Sequence, residues 1–128
     1  MKYVICLLSL ALSLAGGSAF GADSTSAATP APADPALERY AAASTRQDWG
    51  AAAAAMREGL SRDAGNADFH NLYAYSLRKG QSPDMDLVFK HYNEALRIDS
   101  KHRGAHEYIG EAYLMVGNVA KAKEHLGQ

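Results

Sequence analysis

The chain has 128 residues, 48% of them hydrophobic, and a formal net charge of −1, with 13 Lys and Arg against 14 Asp and Glu. That near-neutral balance supplies neither the basic patch of a nucleic-acid binder nor a polybasic segment for anionic lipid. The single cysteine, Cys6, excludes disulfide staples and cysteine-based zinc sites, so packing alone must hold the fold.

Met1 and Lys2 make a short positive start, and Tyr3 to Ala15 form an almost unbroken apolar run. Either Gly17-Ser18-Ala19 or Ala19-Phe20-Gly21 then offers small residues at cleavage spacing. This three-part layout predicts a secretory signal peptide over residues 1–21, cleaved near 19–22. The run falls short of the roughly 20 residues of a membrane span, so no stable membrane anchor is expected after cleavage. Cys6 lies inside the run rather than just after it, which argues against a lipid anchor. The destination is then the periplasm or the exterior. Residues 22–34 are Ala, Ser, Thr and Pro with two acids and no large apolar group. Nothing there can be buried to offset ordering entropy, which predicts a disordered linker.

Residues 35–128 read as one all-α domain. Asp34-Pro35 is an N-cap followed by Pro at the first helical position, and Ser82-Pro83-Asp84 repeats the signal. Further breaks at 63–66, 99–102 and Gly117-Asn118 separate helical segments, and alternating strand patterns are absent. Self-comparison reveals a period. Residues 59–68 match 95–104 at an offset of 36, with Leu60 on Leu96 and Asp63 on Asp99. The same offset sets Ala74 on Gly110 and Leu77 on Tyr113, while Val88 and Tyr92 fall 34 before Ala122 and Leu126. A period of this length built from two helices predicts an α-solenoid.

Ile109-Gly110, Tyr113, Gly117, Ala122 and Leu126, with Tyr92, Ala95, Leu96 and Asp99 before them, resemble the tetratricopeptide repeat (TPR) pattern W-x2-L-G-x2-Y … A-x3-F. The chain is similar to short exported bacterial proteins of that family. The resemblance implies about three helix-turn-helix hairpins, near residues 35–65, 66–101 and 102–128. His106 stands where the family has a large aromatic, and Ser100 replaces its closing Pro. The first unit aligns through Trp49, Ala52, Met56 and Leu60, whereas its first helix carries only Leu37 and Tyr40 as large apolar groups.

No catalytic set emerges. Ser44, Ser61, Ser76, Ser82 and Ser100 lie in no nucleophile motif, the carboxylates are scattered, and no cofactor or metal is called for. What the resemblance implies is recognition without chemistry: a protein-protein interaction or assembly module of the bacterial envelope, holding a peptide or partner protein in a concave groove. Carried over by position, that groove presents Asn71, Tyr75, Arg78 and Lys79 from the middle unit. The third contributes Glu107, Glu111, Leu114 and Met115. The two glutamates argue against a clamp for a C-terminal carboxylate. The alternative is a small periplasmic metal-binding protein using His70, His102 and His106. In it, His70 and His106, at equivalent places 36 residues apart, approach across the stack. Val119, Ala122 and Leu126 share one face of the last helix, which predicts end-to-end pairing of two copies through that C-terminal helix, or docking of another protein there.

Overall fold

The computed structural model describes residues 33–127. The segment expected to be a signal peptide, the expected linker up to residue 32, and Gln128 lie outside the described residues. Six helices follow in order: α1 Pro35–Thr45, α2 Trp49–Arg62, α3 Ala67–Lys79, α4 Met85–Ile98, α5 Arg103–Met115 and α6 Val119–Leu126. No strand occurs among the described residues.

Each helix begins where a side chain satisfies a first-turn N–H that has no intrahelical partner. Asp34 accepts from Ala36 N at 2.7 Å, Asp48 from Ala51 N at 3.0 Å and Asn66 from Phe69 N at 3.1 Å. Asp84 accepts from Leu87 N, His102 Nδ1 from Ala105 N and Asn118 from Lys121 N. Helix α4 thus starts two residues later than Ser82-Pro83 predicts. Ser82 sits at φ 49°, in the left-handed region that turns the chain out of α3, and Asp84 takes over the cap.

The connections are three to five residues long, which forces sequence neighbours into antiparallel pairs. Each helix packs on the next, and α3 also touches α5. The turns are written twice. In α1–α2, Asp48 N donates to Ala43 O at 2.9 Å around Gln47 at φ 57°. In α5–α6, Asn118 N donates to Tyr113 O at 2.8 Å around Gly117 at φ 77°. The matched aspartates behave alike too: Asp63 N bonds Gly59 O and its carboxylate takes Gly65 N, while Asp99 N bonds Ala95 O and its carboxylate takes Lys101 N. The fold is therefore all-α and repeat-like.

Two apolar clusters meet at α3. Phe69, Leu72 and Tyr73 join Ala36, Ala55, Met56 and the partly buried Leu37 and Tyr40. Ala74 and Leu77 join Val88, Tyr92, Ile109 and Ala112, with Phe89 and Tyr113 packed beside them. Small residues set the hairpin spacing, as the period predicts. Ala74 is fully buried, and a Cβ on Gly110 would stand 2.7 Å from Leu126 Cγ.

Candidate functional site

The first helices of the three hairpins each place one tyrosine toward a common face. Tyr75 on α3 lies with its ring centroid 4.7 Å from that of Tyr108 on α5, and 5.6 Å from Trp49 at the start of α2. Tyr40 on α1 belongs with them. Burial pushes its phenol up to about 12, and the phenols of Tyr75 and Tyr108 are near enough to add to the shift. Burial also raises Tyr108, with Tyr75 next and Glu107 and Glu111 after it. All four rings are partly open to solvent. Lys79 holds its Nζ 5.8 Å from the Trp49 centroid, a cation–π distance.

Arg78 organises the middle of this strip from beneath. It is 8% exposed, so its charge needs partners. Nε donates to the Tyr92 hydroxyl at 3.3 Å, Nη2 to Glu111 Oε2 at 2.5 Å, and Nη1 to Met115 Sδ at 3.6 Å. Its guanidinium carbon lies 5.4 Å from the Tyr75 centroid. Burial pushes the Tyr92 phenol upward against the pull of Arg78.

The eight groove positions therefore divide. Tyr75, Glu111 and Met115 gather around Arg78, and Lys79 lies against the Trp49 ring. Asn71 and Arg78, expected to be presented outward, are buried. Asn71 is 4% exposed, its Nδ2 lies 3.1 Å from where a Cβ would stand on Gly104, and its Oδ1 has no hydrogen-bond partner. It is a packing residue between α3 and α5. Glu107 points to another place, a hollow of about 550 Å³ shared with Ser100, Lys101, Arg103, His106, His125 and Leu126. Leu114 is half-exposed near the end of α5. Tyr40, Trp49 and Tyr108 were not among the groove residues expected from sequence. Their signal was present: Tyr40, Tyr75 and Tyr108 recur at close to the period of the chain.

The histidines of the metal alternative do not come together. His70 Nδ1 lies 2.8 Å from His91 Nδ1 inside its own hairpin, and His106 Nδ1 lies 3.1 Å from His125 Nδ1 inside the next. His102 caps α5 through Nδ1 while its Nε2 meets Asp68 Oδ1 at 2.8 Å. Among the described residues no group of three or more His, Cys, Asp or Glu side chains is placed to hold a metal. Ser44, Ser61 and Ser76 donate their hydroxyls to carbonyls of their own helices. On the last helix, Ala122 is buried rather than shared with the outer face, and the exposed apolar groups are Val119 and Leu126, joined by Leu114, Met115 and Val116.

No helix among the described residues is long and apolar enough to cross a membrane. A scan against protein-family models finds no match, and no curated protein matches the sequence at a significant level.

Proposed function

We propose that this chain is a non-catalytic interaction module of the tetratricopeptide type, its three hairpins stacked as an α-solenoid, exported to the periplasm or cell exterior by its N-terminal signal. Its task is to hold an extended segment of a partner protein against the face lined by Tyr40, Trp49, Tyr75 and Tyr108. The recurring turn and loop hydrogen bonds, and the small residues Ala74 and Gly110 at matched places, support the family reading.

The observation that carries the binding proposal is the aromatic strip itself. Four large rings from α1, α2, α3 and α5 stand partly exposed, in mutual contact or close proximity, over a buried arginine whose charge is already satisfied. Rings of this kind offer large, rigid contact area at low entropy cost, and Tyr hydroxyls can bond a peptide backbone. Lys79, exposed beside Trp49, adds a positive charge that would orient the bound segment.

Capture from an envelope fraction tests the proposal, comparing the unsubstituted chain with Tyr75→Ala, Tyr108→Ala and Lys79→Glu. Partners retained by the parent and lost by the tyrosine variants, with helix content unchanged, are the expected result. A partner set indifferent to all three substitutions would refute the binding face. Loss through changes at Val119 and Leu126 instead would move the interface to the C-terminal helix, where pairing of two copies is the alternative.

A further inference from the structure

The aromatic face uses none of the four paired histidines, yet their arrangement is built twice. In the α3–α4 hairpin, His70 Nε2 lies 3.0 Å from Ala64 O while Nδ1 meets His91 Nδ1. In the α5–α6 hairpin, His106 Nε2 lies 3.0 Å from Ser100 O while Nδ1 meets His125 Nδ1. A carbonyl only accepts, so the Nε2 atoms of His70 and His106 carry hydrogen and their Nδ1 lone pairs face the partner ring. His91 and His125 then supply the Nδ1–H. Ring centroids 5.1 and 5.3 Å apart exceed the nitrogen separations by about one ring diameter. The rings of each pair therefore meet edge to edge, nitrogen to nitrogen.

We propose that each pair is a two-imidazole site for a divalent transition-metal ion, with copper(II) the preferred occupant. Three observations carry this. A histidine whose Nε2–H is tied to a backbone carbonyl has its tautomer fixed with Nδ1 free to coordinate, the arrangement metal-binding histidines use. The donor atoms also stand at a chelating separation: two nitrogens about 2.0 Å from one ion, at a mutual angle between square-planar and tetrahedral, lie about 2.8–3.4 Å apart. The pairs show 2.8 and 3.1 Å. Because the two nitrogens of each pair point at each other, binding breaks the N–H···N contact and turns the rings until both lone pairs meet one ion. Finally, the same carbonyl–imidazole–imidazole array recurs in both hairpins, where an accidental contact would not.

The proton balance is neutral. His91 and His125 release Nδ1 by moving that hydrogen to Nε2, and both side chains are only partly buried, so solvent can mediate the transfer. The charges around the pairs are mixed: Glu94, itself paired with Arg97, acts on His91 against Lys90, and Glu124 acts on His125 against Lys121. The second site opens onto the hollow beside Lys101, Arg103 and Glu107. With two protein nitrogens per ion the remaining positions fall to water. The affinity order follows the general series for such donors, copper above nickel and zinc.

The test uses the full chain without a histidine tag and with Cys6→Ser, so that no thiol competes, titrated with copper(II) at neutral pH. Two equivalents should bind, and the electron paramagnetic resonance spectrum should show two imidazole nitrogens per copper. His91→Asn and His125→Asn should each abolish one equivalent. Asn can still donate to the facing Nδ1, so helix content should hold. Binding unchanged in both variants, one nitrogen per ion, or no binding would overturn the proposal. Loss confined to one variant would overturn the site of the other. Should a variant lose helicity, the nitrogen count on the unsubstituted imidazoles decides.

Discussion

Arg78 and Tyr92 form a buried polar pair whose worth can be measured by a double-mutant cycle. Arg78→Met keeps an apolar stem against the Tyr75 ring and removes the charge. It also strips the Tyr92 hydroxyl of its donor in a side chain with 0% exposure. An orphaned buried hydroxyl costs about 1–3 kcal/mol. Tyr92→Phe removes one acceptor from Arg78 but leaves Glu111 and Met115 in place, so about 1 kcal/mol is expected. In Arg78→Met/Tyr92→Phe neither end is left unpaired, and an all-apolar replacement of a buried polar pair is often close to neutral. The double variant should therefore cost about 1–2 kcal/mol less than the two single costs added. Removing Glu111 is a different matter. Its carboxylate is 46% exposed against 7% for Arg78, so water can replace it and the loss stays near 1 kcal/mol. Urea unfolding followed by circular dichroism measures all four corners of the cycle. Costs that add within about 0.5 kcal/mol would show the two residues acting independently, and would refute the account of Arg78 as a charge held from within.

The twin turns allow a paired backbone test. Gly117→Ala should destabilise by about 1 kcal/mol, because φ of 77° strains any side chain there, whereas Gln47→Gly should be neutral or gain up to about 1 kcal/mol; equal effects of one sign would contradict the left-handed assignment. Acidification supplies a further prediction. Burial, then His70, then Lys90 depress the His91 imidazole to about 4 against the pull of Glu94, and burial and His106 lower that of His125. The unfolded chain therefore binds these protons first, so stability is full above an unfolded value near 6.5 and declines as pH falls toward about 4. A urea midpoint that does not drop between neutral pH and 5, or drops equally in His91→Asn/His125→Asn, would exclude the pairs as its source.

Much of the fold was legible because its signals are local. Five of the six N-caps are Asp or Asn, and each acts on a backbone N–H within three residues. The exception is His102, which the sequence offers only as a possible metal ligand; its Nδ1 is free to cap because its Nε2 faces Asp68 Oδ1, a residue 34 positions away. The aromatic face was half legible. Tyr75 and Lys79 were expected there, while Tyr40 and Trp49 were read only as packing residues, because a ring that packs and a ring that is presented carry the same spacing.

The sequence by itself determined the helices, the breaks between them and the 36-residue recurrence, since caps, turn residues and small side chains such as Gly110 act over one or two turns. The tertiary structure alone decided the direction of the polar groups. Arg78 turns inward because α4 brings Tyr92 and α5 brings Glu111 to it. His70 and His106 face His91 and His125 rather than each other, because the closest approach is between the two helices of one hairpin. Those choices depend on how helices cross, and spacing along the chain carries no record of that.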